Sequence, residues 1–196
     1  MKITVMRLSR VGYYSEFVIY PVLAVGLLST AAWRYPERAG ILAATFVGGL
    51  ALWTLVEYLL HRFVLHHVPY IKEMHDAHHE EQEALIGTPV WLSLLIFLVF
   101  VFTPLWLLTD PVITAGASAG MVIGYFFYGG VHHLIHHTTN GPGTFGYKLK
   151  HRHALHHHYS EEGNFGVTTG FWDIVFGTDV QRQLRARKAQ ADAKRG

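Results

Sequence analysis

The 196-residue chain contains no cysteine. Disulfides, thiolate nucleophiles, iron–sulfur clusters and cysteine-based zinc sites are therefore excluded, and any metal must be held by nitrogen and perhaps oxygen. Charge is scarce as well. Asp, Glu, Lys and Arg make up 15% of the residues against 51% hydrophobic and 14% aromatic, with a mean hydropathy of +0.22. An average soluble domain carries about 25% charged residues, so the deficit points to a membrane protein. The net charge is only +2. Its basic residues collect in a tail without interleaved aromatics, which gives no sign of a nucleic-acid partner. Acids are almost missing from the most patterned stretches, where Asp76 is the only carboxylate inside a histidine cluster.

Histidine is what the chain has in excess: 15 in all, with four spaced clusters that offer ten candidate ligands. These are His61-Arg-Phe-Val-Leu-His66, His75-Asp-Ala-His78-His79, His132-His-Leu-Ile-His136 and His153-Ala-Leu-His156-His157. Separations of three and four put His75, His78 and His79 on one helical face, and His153, His156 and His157 likewise. His132 and His136 share a face in the same way. His61 and His66, five apart, do so less well, so the helix is expected to loosen or end between them. Imidazole suits iron, zinc, copper and nickel. Ten ligands are too many for one first-row ion and suit two. A scavenging tract or tag would be low-complexity, whereas these clusters are separated and the His-x-x-His-His spacing occurs twice.

Four apolar runs, 17–33, 41–60, 90–108 and 112–128, each approach the length that crosses a hydrocarbon core of roughly 30 Å. The first reads as an uncleaved span rather than a signal peptide, because it is long for one and Pro21 interrupts it. Pro104 is expected to kink the third. The expected fold is all-α: four transmembrane helices in two hairpins, with a helical cap over 61–89 and 129–180 and a basic tail over 181–196. The whole forms one membrane domain. Gly116, Gly120 and Gly124 predict a close helix contact on the fourth span. An even number of crossings places every histidine cluster and both termini on one side. That side holds Lys2, Arg7, Arg10, Arg62, Lys72, Lys148, Lys150, Arg152 and the basic residues from Arg182 onward, against Arg34 and Arg38 opposite. The excess marks it as cytoplasmic.

Outside the ligand set, Glu57 stands one turn before His61, in an apolar helix where a carboxylate is a functional candidate. It is expected to hold the outward N–H of a ligand histidine. His67, His133, His137, His151 and His158 neighbour proposed ligands but point elsewhere on their helices. Residues 164–178 are apolar and aromatic yet broken by glycine, and read as an amphipathic segment at the membrane surface against the metal lobe.

These features together resemble the fatty acid hydroxylase/sterol desaturase superfamily of membrane non-haem di-iron oxygenases. The resemblance rests on Glu57-Tyr-Leu-Leu-His-Arg-Phe-Val-Leu-His66, the three later histidine clusters, and Asn164-Phe-Gly-Val-Thr-Thr-Gly-Phe-Trp-Asp-Ile-Val-Phe-Gly-Thr178. That last stretch is most similar to fatty acid 2-hydroxylases, which act on sphingolipid acyl chains. The resemblance implies two iron ions bound by the ten histidines, O₂ as co-substrate, and hydroxylation of an acyl chain drawn from the bilayer. Zinc is able to replace iron on purification, since affinity order favours it. Eukaryotic 2-hydroxylases often carry a fused cytochrome b5 domain. Nothing here resembles one, so the expected electron source is a separate cytochrome b5-, ferredoxin- or reductase-type donor. The compact size suggests a bacterial inner membrane rather than the endoplasmic reticulum. Two rivals stay open: a sterol or carotenoid hydroxylase or desaturase of the same superfamily, and a non-enzymatic metal transporter or sensor. A transporter would be expected to carry its ligands within the spans rather than at helix ends.

Overall fold

The computed structural model describes residues 7–195; Lys2 and Gly196 lie outside them. Helices α1 (Arg10–Tyr14) and α2 (Glu16–Arg34) form the first candidate span, Arg10–Arg34. A one-turn 3-10 helix at Pro36–Arg38 leads into α3 (Ala39–Leu59). Helix α4 covers Ile71–Glu80. The third span is α5 (Val90–Phe97), a π-helical turn at Leu98–Phe102 and α6 (Thr103–Leu108). Then come α7 (Pro111–His137), α8 (Phe145–His158), α9 (Phe171–Val175) and α10 (Val180–Ala193). Four helices are thus long and apolar enough to cross a membrane. Among the described residues the only β-type pairing is an isolated bridge between Arg7 and Ile86.

Local chemistry accounts for the breaks. Pro104 has no N–H to donate and its ring crowds the carbonyl a turn earlier. The ladder widens into the π turn just before it. A second π turn, Leu60–Leu65, continues α3 through His61. It is the loosening that the five-residue spacing to His66 predicts. Asp110 starts α7 by accepting from the amides of Val112 and Ile113, with Pro111 at the first helical position. The fourth span is far longer than the 112–128 run, reaching His137 over 27 residues. No proline falls between Tyr128 and Thr138, so the helix carries His132 and His136 on its own last turns.

Helix α7 is the central post. Its glycine row faces α3 so closely that a Cβ at Gly116 would stand 2.0 Å from Thr45 Oγ1, and one at Gly120 would stand 2.1 Å from the Phe46 carbonyl. Gly49 answers from α3, where a Cβ would meet the Ala117 carbonyl at 2.3 Å. Small residues let the two backbones approach, which fixes the second span against the fourth. Tyr20, Ala24, Trp53, Phe97, Ala119, Met121 and Val122 close the core around that contact. The third span instead presents apolar side chains outward, with Phe100 74% and Leu108 82% exposed, as a lipid-facing helix does. At the end where α3 begins, Arg38 pairs with Asp110 at 2.8 Å, joining the turn before α3 to the turn before α7. The histidine-bearing ends of both helices therefore lie together at the other end.

Candidate metal centre

All ten patterned histidines come together there, in two groups of five. One holds His61, His66, His75, His79 and His156; the other holds His78, His132, His136, His153 and His157. Within each group one ring nitrogen per residue lies within 4.8 Å of all the others. The spacing alone does not reveal how the chain is shared out. Each group takes four ligands from one half of the chain and one from the other, and the crossing residue is the middle histidine of each His-x-x-His-His, namely His78 and His156. The groups abut, since the His79 and His157 rings stack at 4.0 Å and 17°.

In both groups the Nε2 atoms point inward. In the first, His61 to His75 is 3.1 Å, His66 to His156 is 3.2 Å and His75 to His79 is 3.0 Å. In the second, His132 to His153 is 3.1 Å, His136 to His132 is 3.2 Å and His153 to His157 is 2.9 Å. His78 Nε2 is buried with no hydrogen-bond partner. So many converging lone pairs cannot all be satisfied by one another. A cation at the centre of each group would satisfy them, and neither group contains a carboxylate. The donor set fits two nitrogen-ligated ions.

Burial keeps these rings neutral, as ligands must be. It pushes His66 and His79 down to about 4 and His78 and His156 down to about 3, with neighbouring imidazoles adding to the effect at His78, His79 and His156. His75, His153 and His157 are lowered further, by burial first and then by the surrounding histidines.

The rings are oriented from behind by a loop. His61 Nδ1 donates to the Phe165 carbonyl at 2.7 Å, and His156 Nδ1 donates to the Gly163 carbonyl at 2.8 Å. This corrects the expectation for Glu57. It is buried, 3% exposed, but its bonds go to the amides of Val167 (2.6 Å) and Thr168 (2.8 Å) and to the Thr168 hydroxyl (2.6 Å), not to a histidine. The reason is geometric. The side chain of Glu57 meets the incoming 165–168 loop, and the loop's own carbonyl reaches His61. Glu57 thus anchors the strap that holds His61.

Asp173 does the same from the other side. Fully buried, it accepts from the amides of Phe165 (2.9 Å) and Gly166 (3.0 Å), the Thr178 hydroxyl (2.8 Å) and Arg152 (3.0 Å). Arg152 also pairs with Asp179 at 2.6 Å. Asn164 sits at φ +57 and bonds the Arg152 carbonyl and the Val180 amide. An acid inside an aromatic run was the available signal for Asp173; backbone carbonyls such as Phe165 and Gly163 leave none. The 164–178 segment is therefore only partly a surface element. Residues 164–167 are buried, and α9 with the following Phe176 turns apolar side chains outward through Phe171, Ile174, Val175 and Phe176.

The other five histidines lie outside both groups. His133 and His137 stack at 4.2 Å, with Tyr13 hydroxyl 3.3 Å from His133 Nδ1. His158 meets Gln82 at 3.2 Å, and His67 and His151 are exposed. Asp76 pairs with Lys72 at 2.8 Å and belongs to neither group.

A helical membrane protein with paired nitrogen-only sites at the ends of two packed spans is the class that this geometry defines. The chain belongs to the fatty acid hydroxylase family, whose model matches residues 46–178. It is 33% identical over 151 residues to the rat (Rattus norvegicus) fatty acid 2-hydroxylase, covering 70% of this chain and 40% of that protein. Against the dihydroceramide fatty acyl 2-hydroxylase FAH2 of Arabidopsis thaliana it is 32% identical, covering 72% of this chain and 62% of the relative. A solved structure of full-length scs7p, in which only the hydroxylase domain is visible, superposes with a TM-score of 0.75 at 27% identity. That match covers 86% of this chain and 67% of the other. The chain thus spans about two fifths of the length of the rat relative.

Proposed function

We propose that this protein hydroxylates the acyl chain of a membrane lipid, using O₂ and a pair of iron ions held by the ten histidines. The observation that carries the reading is the pair of abutting, carboxylate-free groups of five converging imidazoles. Two-metal hydrolytic sites ordinarily use bridging acids, which neither group has. The family, and relatives named as fatty acid 2-hydroxylases and a dihydroceramide fatty acyl 2-hydroxylase, favour C2 of a fatty or N-acyl chain.

Bound iron would supply the O₂ activation that an unreactive C–H bond demands. The balance is one C–H and one O₂ taken up with two electrons and two protons, giving one alcohol and one water. The chain's own residues set the conditions. Burial keeps the imidazoles unprotonated, and the Phe165 and Gly163 carbonyls fix which nitrogen of His61 and His156 faces inward. The outward apolar side chains of α9 sit at the lipid boundary in this reading, beside the site, so that a chain is able to enter from the bilayer. The lysine and arginine distribution supports a cytoplasmic metal lobe. Electrons would then reach it from a separate cytochrome b5-, ferredoxin- or reductase-type donor. Zinc found in purified protein would be compatible with this proposal.

The test is lipid mass spectrometry of cells expressing the protein or its His78→Ala variant. A lipid one oxygen heavier, present only with the unaltered protein, is expected. A product lighter by two hydrogens would convert the reading to a desaturase, and an unchanged lipid profile would defeat it.

A further inference from the structure

At the end of the bundle away from the histidines, the only lysines or arginines are Arg34 and Arg38. They differ in what they meet. Arg38 pairs with Asp110 at 2.8 Å. Arg34, exposed in the last turn of α2, forms no ion pair among the described residues, with Glu37 or with any other acid. Trp33 beside it in sequence is 80% exposed, and Trp106 at the end of the third span is 55% exposed. Tryptophans turned outward at the ends of spans mark the headgroup level. Arg34 therefore stands in the layer where lipid phosphates lie.

Below Arg34 runs a cleft of about 420 Å³ between the first, third and fourth spans, a volume within the range of about 300–1,000 Å³ found for ligand sites. Gly26, Thr30 and Arg34, four apart, form one row along the first span. That row covers about 12 Å of helix axis at 1.5 Å per residue. Small residues leave the space: Ala31 and Ala115 line it, and a Cβ at Gly26 would meet nothing within 4 Å. The third span supplies an aromatic wall, since Phe102 and Trp106 stack at 6.0 Å and 12°. Apart from Thr30, Tyr35 and Thr114 the lining beneath Arg34 is apolar, and it contains no carboxylate.

An apolar slot with one unpaired cation at its polar end suits an amphiphile of the opposite charge. The planar guanidinium matches a phosphate with two parallel hydrogen bonds. A zwitterionic headgroup brings a cation of its own, for which the cleft offers no acid. We propose that this cleft binds an anionic phospholipid, with its phosphate on Arg34 and one acyl chain along the Gly26–Thr30 row against Phe102 and Trp106. The site lies at the opposite end of the spans from the histidines, so this lipid is separate from the acyl chain of the proposed reaction. The inference rests on the membrane-spanning fold and stands whether or not that reaction is correct.

The experiment titrates the full chain in detergent with dioleoyl phosphatidylglycerol or dioleoyl phosphatidylcholine, and counts bound lipids by native mass spectrometry. For the first lipid bound, the unaltered protein is expected to favour phosphatidylglycerol about fivefold, the upper end for an exposed ion pair. Arg34→Ala should bring the two lipids within about twofold of each other, and Arg34→Lys should keep most of the preference. Gly26→Leu fills the slot and leaves the arginine in place. It should keep the preference while weakening both lipids about tenfold, the scale of about two methylenes losing apolar contact. A preference unchanged in Arg34→Ala would overturn the proposal, because basic residues elsewhere would then hold the lipid. Unaltered affinity in Gly26→Leu would overturn it too, by placing the chain outside the cleft, as would glycerol phosphate that competes as well as the lipid does. If Arg34→Ala proves unstable, Gly26→Leu decides alone.

Discussion

The two histidine groups are built from the same spacing yet supported in different ways. The first is clasped from outside: His61 and His156 each give their outer nitrogen to a backbone carbonyl of the 163–165 strap, and Glu57 and Asp173 hold that strap with buried bonds. The second has less behind it. Two of its histidines, His153 and His157, have their Nδ1 atoms buried without a hydrogen-bond partner, against one, His79, in the first group. The first group is thus the more firmly braced of the two, through His61 and His156. Repetition in sequence brings five imidazoles to each group; the strap makes the groups unequal.

The largest effect should come from the crossing ligands. His78→Ala and His156→Ala each remove the one imidazole that a group borrows from the other half. Each variant is expected to bind about one metal per chain instead of two, with hydroxylated lipid falling by about two orders of magnitude or more, beyond the 10–100-fold typical of outer-sphere changes. Metal analysis alongside lipid mass spectrometry checks this. Two metals retained in His156→Ala would remove the partition into five and five.

Next in size is Glu57→Ala, which sharpens the contrast because Glu57 touches neither group directly. It strands the Val167 and Thr168 amides in a buried site, at about 1–3 kcal/mol for each unsatisfied group. Through the Phe165 carbonyl, the metal affinity of the first group should fall about 10–100-fold, while the second group keeps its ion. Stepwise chelator titration separates the two. Equal loss from both would mean that the strap stabilises the fold without favouring one group.

How much of this was legible in the sequence follows from which groups carry the information. The convergence of the imidazoles was readable because helical spacing of three or four forces them onto one face. The glycine row was readable because only close backbone contact explains a repeat of four. The π turn was half readable, as a spacing of five that an α-helix serves poorly. The crossing of His78 and His156 was not, since it depends on how α4 and α8 lean across each other. Nor was the true partner of Glu57. Side-chain type announces a buried acid, but its bonds go to backbone amides, which look alike at every position. The end of the fourth span was also obscured, because hydropathy falls at the histidines while the helix continues.

A smaller change should leave the two groups indistinguishable and so act as a control. Gly120→Ala drives a methyl into the Phe46 carbonyl and Leu50 amide, pushing α3 and α7 apart below both groups. Overpacking of this kind costs about 1–3 kcal/mol. The unfolding midpoint in detergent should drop and both metals should weaken together. Gly48→Ala meets nothing within 4 Å and should be silent. Loss confined to one group would show that a single helix, rather than the α3–α7 contact, sets that group's position.

The weakest contrast is expected in acid. Buried neutral, the ligands have folded-state values of about 4 for His66 and His79 and about 3 for His78 and His156, against roughly 6.5 for an unfolded imidazole. Between those limits the unfolded chain binds more protons than the folded one. The stability of metal-free protein should therefore hold above pH 6.5 and decline as the pH falls from about 6.5 toward 4. The decline flattens for each residue once its folded form also protonates. Histidines of both groups contribute, so hydrogen exchange at 61–66 and at 153–157 should rise over the same window. Bound metal competes with the protons and should shift the loss to lower pH in proportion to its affinity. A metal-free unfolding midpoint that stays flat from pH 7 to 4 would mean that the imidazoles are hydrated rather than buried, and would remove the basis for ranking the two groups by what stands behind them.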